Sequence, residues 1–362
     1  MRLFQIFVSV IKVNLLFCSL FAQNWAIPAQ FDYAYNFSEG MAIIKQNGKY
    51  GFINKQGQIV VQPQYDDALR FSDGKALVKK NEKYGFINQM GAVVVPLIYE
   101  SALSYAEGFA VVKQNGKYGF LNANGQLAIP CQFNDAWSFS EGLAKVEIEG
   151  KYGYINTSGT IVIKPQWESA ENFSEGFALV KSDGKYGFID KQGNWVISPQ
   201  FDEVYSFKEG VAKFESNGKY GFIDKKGTKI IPAIYEEAEI PSEGLIRIKQ
   251  GGLYGYINTR GTVIVPPIYE EASDFSEGLA SVRIGQDKAY IDKTGKKYLT
   301  HTYAEAEPFR CGASRVRYKT KYAYLDRNGK LIVQPIFDEA EDFCENLAVV
   351  KYNGKRGYIK IK

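Results

Sequence analysis

A Tyr-Gly pair recurs every 34 residues, and this period constrains the fold more than any other feature of the chain. The tyrosines that carry the period are Tyr50, Tyr84, Tyr118, Tyr152, Tyr186, Tyr220 and Tyr254. The register continues through Lys288-Ala289, Tyr322-Ala323 and Arg356-Gly357. Two more ladders keep the same spacing, one of glycines from Gly57 to Gly329 and one of aromatic residues from Phe31 to Phe337. A fixed period of this kind identifies tandem repeats, which bury a core by stacking on one another.

The first half of each unit has the pattern of a β-hairpin. Ala178 and Val180 stay small or aliphatic in nearly every unit, whereas Leu179 between them varies. This alternation is typical of a strand with one buried face. Asp183-Gly184 predicts a two-residue hairpin turn, and residues 186–190 form the next strand.

The second half of the unit contains a loop, a third strand and a connector. Lys191-Gln192-Gly193 predicts a longer hairpin loop. Trp195-Val196-Ile197 is apolar on successive residues, so we predict a strand with both faces covered, which Pro199 ends. Residues 201–210 follow as a link with an aromatic ring near each end. Because two other units carry alanine at the Gly187 position, we expect a close neighbour there, an aromatic ring, rather than a positive φ.

The two chain ends bear on how the units are arranged. Trp25-Ala26-Ile27 aligns with the third strand of a unit, and residues 356–360 align with the second. Together they would complete a tenth unit, as in propellers that close by strand exchange. However, 34 residues is short for a four-stranded blade, and Lys360 and Lys362 resemble charges that protect a free sheet edge. We therefore expect an all-β superhelical array of stacked three-stranded antiparallel meanders, with a closed propeller-like ring of about ten units as the alternative.

Residues 1–22 differ from the repeats and are typical of a secretory signal peptide. Basic residues flank an apolar stretch, and a small residue, Ala22, ends it. The stretch is too short and too interrupted for a good membrane span. We predict cleavage after Ala22, which leaves residues 23–362 as a continuous repeat array with no stable membrane span. The protein would then be periplasmic, at the cell surface or secreted, whereas a retained anchor and a lipid on Cys18 are the alternatives.

One unit shows a longer pattern that is shared with other proteins. It runs through Gly184-Lys185-Tyr186-Gly187-Phe188-Ile189-Asp190-Lys191-Gln192-Gly193 and then Pro199-Gln200-Phe201-Asp202-Glu203. This pattern resembles the repeat of the WG repeat family of bacterial proteins, and it covers residues 25–362. The family's Trp-Gly pair stands here as Tyr-Gly, and no unit has tryptophan at the position before the glycine. The resemblance implies a β-rich repeat array in an exported bacterial protein, and it implies no reaction.

The residues that catalysis and metal binding require are scarce. His301 is the only histidine, and no serine or cysteine is marked as its nucleophilic partner. One histidine and three scattered cysteines after residue 22 do not form a zinc ligand set. Without Arg2 and Lys12 the chain has 42 basic against 40 acidic residues, which offers no general attraction to nucleic acid. We therefore predict that the protein is not an enzyme, uses no cofactor or metal and binds no nucleic acid.

Carboxylates recur at two positions in nearly every unit. The first series is Glu39, Asp73, Glu107, Glu141, Glu175, Glu209, Glu243, Glu277 and Glu345. The second series is Asp32, Asp66, Glu100, Glu168, Asp202, Glu236, Glu270 and Asp338. We expect these acids to cap turns or to pair with the strand lysines Lys45, Lys79, Lys113 and Lys181. Because an active site is expected once rather than ten times, a pair of glycosidase-type carboxylates is a remote alternative.

The unit between residues 288 and 321 departs most from the pattern. Its unusual polar residues are His301, Arg310, Arg315, Arg317, Lys319 and Lys321, which we name the candidate basic patch. Arg315 and Arg317 lie two residues apart on one strand and therefore share a face. Such a patch would bind an acidic glycan or the carboxylates of a partner. The alternative is that this unit tolerates sequence substitutions and its basic residues have no binding role.

The absence of a catalytic pattern and the extended surface of a repeat array favour a binding function. The first hypothesis is an exported scaffold that binds a protein or polysaccharide at the cell envelope. The second is a structural envelope protein that associates with copies of itself. A glycan-active enzyme is a remote third, since carboxylates are plentiful.

Overall fold

The computed structural model describes residues 25–285, 287–299 and 303–361. All the regular secondary structure in this part of the chain is β-strand. The strands are β1 (Trp25–Phe31), β2 (Tyr33–Ala34), β3 (Met41–Gln46), β4 (Lys49–Asn54), β5 (Ile59–Tyr65), β6 (Asp67–Ala68), β7 (Lys75–Lys80), β8 (Lys83–Asn88), β9 (Val93–Tyr99), β10 (Ser101–Ala102), β11 (Ala110–Gln114), β12 (Lys117–Leu121), β13 (Leu127–Phe133), β14 (Asp135–Ala136), β15 (Leu143–Ile148), β16 (Lys151–Asn156), β17 (Ile161–Trp167), β18 (Ser169–Ala170), β19 (Ala178–Ser182) and β20 (Lys185–Ile189). They continue as β21 (Trp195–Phe201), β22 (Glu203–Val204), β23 (Val211–Ser216), β24 (Lys219–Asp224), β25 (Lys229–Tyr235), β26 (Glu237–Ala238), β27 (Leu245–Gln250), β28 (Leu253–Asn258), β29 (Val263–Tyr269), β30 (Leu279–Ile284), β31 (Asp287–Asp292), β32 (Lys297–Leu299), β33 (Glu305–Ala306), β34 (Ala313–Tyr318), β35 (Lys321–Asp326), β36 (Leu331–Phe337), β37 (Glu339–Ala340), β38 (Leu347–Tyr352) and β39 (Lys355–Lys360).

These strands form ten small antiparallel sheets within the described residues. Numbered along the chain, the first sheet is β2–β5, the fifth is β18–β21, the sixth is β22–β25, and the tenth joins β37–β39 with β1. Nine sheets have four strands, and the eighth, β30–β32, has three. The predicted meander is thus confirmed, but a two-residue strand from the link adds a fourth strand to most units. The sequence did not reveal this strand because two residues are too few to show a period.

The described chain divides into two compact units, of which the larger contains residues 65–285, 287–299 and 306–308. In it, the core lies between the faces of successive sheets. One core cluster joins Leu143, Tyr154, Ile163 and Trp167 of the fourth sheet with Ala170, Phe173, Ala178, Val180 and Ile189 of the fifth. The Tyr154 and Phe173 rings meet edge to face at 4.9 Å, and the Tyr154 hydroxyl donates to the Glu171 carbonyl at 2.6 Å. A single sheet therefore buries its apolar face only against its neighbour, as stacked repeats do.

The last strand of each unit is longer and more exposed than predicted. β21 continues through Pro199 to Phe201. Ile197 is buried, but Trp195 and Val196 are 38% and 37% exposed, so the prediction of two covered faces is wrong. β21 is the outer strand of its sheet, and an edge position tolerates a proline because no further strand needs its amide.

The glycine that follows each repeat tyrosine is in close contact with the last strand, as predicted. A Cβ on Gly187 would lie 2.5 Å from the Ile197 carbonyl oxygen and 2.8 Å from the Pro199 nitrogen. The approaching group is mainly backbone, although the Trp195 ring adds a contact at 2.8 Å in this unit. The β-bulge between the Tyr186 and Phe188 pairings brings β21 this close.

In the smaller compact unit, residues 25–64, 303–305 and 309–361, the two ends of the repeat array share one sheet. β1 pairs antiparallel with β39, and Trp25 is the partner of Ile359. β1 therefore covers the edge that Lys360 was expected to protect. The Tyr358 hydroxyl donates to the Tyr35 carbonyl at 2.8 Å, which repeats the contact made by Tyr154. This pairing supports the closed propeller-like alternative, whereas the open superhelix expected first leaves β1 without its partner.

Three sequence predictions concern residues outside the described part of the chain. They are the signal peptide at residues 1–22, His301 of the candidate basic patch, and Lys362 as a charge at a sheet edge. Among the described residues, no helix is long and apolar enough to cross a membrane.

Candidate functional site: repeated clefts between sheets

The second carboxylate series caps hairpin turns, as predicted. The Asp66 carboxylate accepts the Asn81 amide at 2.8 Å. Glu100 accepts the amides of both Asn115 and Gly116, at 2.9 and 3.1 Å. These amides belong to the two turn residues between the second and third strands, whose positive φ leaves them without a strand partner. The carboxylate supplies the missing acceptor from within the same sheet.

The first series links one sheet to the next. The Glu141 carboxylate accepts the Gly176 amide at 3.0 Å and forms an ion pair with Lys191 at 3.2 Å. Burial alone would raise the pKa of the equivalent Glu175, but its Gly210 and Lys225 partners outweigh burial and lower this pKa. The lysines bonded to this series are Lys55, Lys191, Lys225 and Lys293. They lie in the loop before the last strand, so the predicted pairing of this series with strand lysines is wrong.

A lysine and a tyrosine face each other across the second and third strands of many sheets, and we name this arrangement the Lys–Tyr pair. Lys181 lies directly opposite Tyr186, with its ammonium 5.1 Å from the ring centre. Equivalent pairs are Lys45–Tyr50 at 4.6 Å, Lys79–Tyr84 at 5.5 Å, Lys113–Tyr118 at 4.9 Å and Lys249–Tyr254 at 4.9 Å. Cation–π attraction orients both side chains while each keeps exposed surface. Both ladders are visible in the sequence, but the strand register that brings a lysine opposite a tyrosine is visible only in the fold.

In the fourth and sixth sheets a glutamate, Glu147 or Glu215, replaces the lysine opposite the tyrosine. In the sixth sheet Glu215 occupies the lysine position and faces another acid, Glu203. Lys213, two residues before Glu215, supplies the cation instead and lies 4.3 Å from the Tyr205 ring centre. It also donates to the Ala238 carbonyl of the seventh sheet at 3.0 Å. The hydrogen bond between the Glu203 and Glu215 side chains, together with the repulsion between their like charges, raises the pKa of Glu203.

Two of the Lys–Tyr pairs, Lys79–Tyr84 and Lys181–Tyr186, line clefts where one sheet meets the next. One cleft, of about 480 Å³, lies between the fifth and sixth sheets. Its polar and aromatic lining includes Glu171, Lys181, Tyr186, Asp202, Glu203 and Tyr205. The equivalent cleft beside Lys79 and Tyr84 has about 160 Å³, and one beside Arg283 and Lys288 has about 180 Å³. Of these three clefts, only the one between the fifth and sixth sheets has a volume within the range of roughly 300–1,000 Å³ that is usual for ligand sites.

The described members of the candidate basic patch are largely engaged with neighbouring groups. Arg310 pairs with Asp342 at 3.2 Å, Arg317 with Glu305, and Lys321 with Asp338. Arg315 donates to the Ala340 carbonyl, and Lys319 lies 5.8 Å from the Tyr318 ring centre. Arg315 and Arg317 share a strand as predicted, on β34. A role of these residues in ligand binding stays a prediction.

The described residues contain no group of three or more histidine, cysteine or acidic side chains placed to hold a metal ion.

The sequence matches the WG containing repeat along almost its whole described length. Ten consecutive matches cover residues 22–50, 50–84, 84–118, 118–152, 152–186, 186–220, 220–254, 254–286, 289–322 and 322–355. The chain belongs to the WG repeat family. This confirms the resemblance based on the Tyr-Gly ladder, including the units in which Ala289 and Ala323 replace the glycine.

The solved structures that match this WG repeat protein do so at low sequence identity. A eukaryotic initiation factor superposes with a TM-score of 0.54 at 11% identity, over 90% of this chain and all of that one. BamB from Moraxella catarrhalis gives a TM-score of 0.36 at 12% identity, over 82% of this chain and 96% of that one. PorZ, a surface component of the type-IX secretion system of Porphyromonas gingivalis, gives 0.31 at 11% identity, over 91% of this chain and 57% of that one. No curated protein is similar enough in sequence to match.

Proposed function

We propose that this WG repeat protein is an exported, non-enzymatic scaffold that binds a protein or polysaccharide at the cell envelope. The observation that carries the proposal is the recurrence of the Lys–Tyr pair along the chain, with Lys79–Tyr84 and Lys181–Tyr186 lining inter-sheet clefts. Each pair combines a hydrogen-bond donor and an aromatic ring with nearby carboxylates. Such groups offer a ligand both apolar contact area and hydrogen bonds.

Repetition is the physical advantage of such a scaffold. A single shallow cleft binds weakly, but several equivalent clefts on one chain convert later contacts into intramolecular ones. An elongated or repetitive partner would therefore be held more tightly than a single unit of that partner. Export rests on residues 1–22, whose composition is that of a signal peptide.

Cross-linking in the native envelope tests this proposal. A tagged chain is cross-linked, purified and analysed by mass spectrometry for co-purifying protein and by sugar analysis for glycan. A stoichiometric partner that is lost when Lys79 and Lys181 are both changed to Gln supports the scaffold. Lys164→Gln is the matched control, since Lys164 is an exposed lysine on the outer strand β17. Equal capture by all variants would place recognition elsewhere on the chain, and capture of nothing foreign would contradict the scaffold.

Self-association is a second candidate, favoured by exposed apolar residues on the outer strands. The first residue of these strands is exposed and apolar in several units: Ile59, Val93, Leu127, Ile161, Trp195 and Val263. Outer strands offer free backbone groups to a second copy, although the prolines within them oppose such pairing. Sedimentation analysis between micromolar and submillimolar protein distinguishes the two: a concentration-dependent dimer that Val93→Lys and Val263→Lys abolish would favour self-association.

A further inference from the structure

We infer that the cleft between the fifth and sixth sheets binds a neutral, hydroxyl-rich saccharide unit. This inference rests on the proposed scaffold function and narrows it to one site and one ligand class. The size of the cleft, the charges on its walls and its two tyrosines support this ligand class.

Charges of both signs line this cleft at close quarters. Lys181 contributes an ammonium from β19, and Glu171 and Glu203 contribute carboxylates from the two neighbouring sheets. The third acid of the lining, Asp202, is paired with Lys185. The Lys181 ammonium would repel a cationic ligand, and the carboxylates of Glu171 and Glu203 would repel an anionic one. Hydroxyl groups both donate and accept hydrogen bonds, so a neutral sugar can satisfy the ammonium and the carboxylates together.

Lys181 is more available to a ligand than the equivalent cations of the seventh and eighth sheets. The residue opposite Lys181 on β18 is Ser169, which has no charge. In the seventh sheet the equivalent Lys249 pairs with Glu237 at 2.8 Å. In the cleft of about 180 Å³, Arg283 and Lys288 both pair with Glu271. In the larger cleft Asp202 pairs with Lys185, whereas Glu171, Lys181 and Glu203 supply donors and acceptors of both signs.

Two tyrosines give the cleft its apolar surface. Tyr186 lies on the wall formed by the fifth sheet, and Tyr205 follows β22 on the opposite wall. Tyr205 is 40% exposed, and Lys213 near its ring helps to hold its orientation. The C–H faces of a sugar ring pack against such aromatic rings, while its hydroxyl groups point to the polar rim. The volume of about 480 Å³ suits a small number of sugar units rather than a folded domain.

Calorimetric titration with defined oligosaccharides tests this inference. The probes are hexamers of glucose, mannose, galactose and N-acetylglucosamine, with hexalysine and hexaglutamate as charged probes. We expect one neutral hexamer to bind and both charged peptides to fail. Tyr205→Ala and Glu203→Gln should each weaken sugar binding at least tenfold, while Tyr318→Ala, an exposed tyrosine outside this cleft, should leave it unchanged. The β-sheet circular dichroism and melting temperature of each variant verify that it folds.

The outcomes separate this inference from the scaffold proposal. Failure of every neutral hexamer, tighter binding of a charged peptide, or sugar binding that Tyr205→Ala leaves intact would each overturn the assigned ligand. The scaffold itself is tested by capture from the envelope. If Tyr205→Ala still captures the native partner, the scaffold stands and the saccharide site is wrong.

Discussion

The backbone amide of Gly40 donates to the side-chain carboxylate of Glu345 at 3.0 Å, across almost the full length of the chain. The same bond joins Gly176 to Glu141 at 3.0 Å, where the partners belong to successive repeats. Glu345 also pairs with Lys55 at 2.9 Å, as Glu141 does with Lys191. The last repeat therefore contacts the first through the bonds that join neighbours elsewhere.

Removing the closing carboxylate should destabilise the protein as much as removing an internal one. We expect Glu345→Ala and Glu141→Ala each to lower the free energy of unfolding by about 1–2 kcal/mol, because each amide loses a charged acceptor at a partly exposed site. Urea denaturation followed by circular dichroism measures both. An internal variant that loses stability while Glu345→Ala does not would show that the ends are not joined in solution.

The glycine after each repeat tyrosine is required for space. Gly187→Ala would place a methyl group 2.5 Å from the Ile197 carbonyl oxygen, so we expect a loss of about 1–3 kcal/mol from forced displacement of β21. Thermal unfolding measures this effect. Ala323→Gly is the control, since that repeat already accommodates a methyl group, and its cost should be no more than about 1 kcal/mol. Equal stability of Gly187→Ala and the natural chain would disprove the close approach.

Acid should weaken the contacts between repeats before it affects their cores. Burial alone would raise the pKa values of Glu175, Glu243 and Glu345, but their amide and lysine partners lower them below the usual 4.5. Groups with a lowered pKa in the folded state stabilise it above the unfolded pKa, and this contribution is lost as the pH falls through the folded pKa. We therefore expect the melting temperature to fall as the pH drops from about 5 to about 3. The triple variant with Gln at these positions should show a smaller fall, and an unchanged pH dependence would contradict this assignment.

The two arginines of β34 should differ in their effect on stability. Arg315 donates to the Ala340 carbonyl of the next sheet, whereas Arg317 pairs with Glu305 in its own sheet. We expect Arg315→Ser to lower the melting temperature more than Arg317→Ser, because only Arg315 bridges two sheets. Scanning calorimetry measures the difference. Binding of an anionic polysaccharide tests the candidate basic patch separately, and unchanged binding by the double variant would contradict a ligand role.

Local features of the fold were predictable because they depend on neighbours in sequence. The Asp183-Gly184 turn and the role of Asp66 as a turn cap follow from residues within one repeat. β21 was predicted too short, because a proline terminates an inner strand but is tolerated at an edge, and only the sheet order shows which applies. Sequence alone therefore gave the repeat but not the position of each strand in its sheet.

The candidate site was harder to predict because its residues come from different repeats. Lys181 and Tyr186 were visible as separate ladders, but the cleft also needs Tyr205 from the next sheet. The pairing of Arg317 with Glu305 likewise depends on strand register, so a basic segment in sequence became a set of ion pairs in the fold. Contacts of this kind require tertiary structure and leave no local signal.

Hydrogen exchange of the backbone amides of β1 tests the closed repeat array most directly. The peptide of residues 25–31 is compared by mass spectrometry with its internal equivalent, residues 195–201 of β21. We predict that the amides of the two peptides are protected from exchange to a comparable degree, since β1 and β21 each pair with the third strand of a repeat. Rapid exchange throughout residues 25–31, with β21 still protected, would contradict closure.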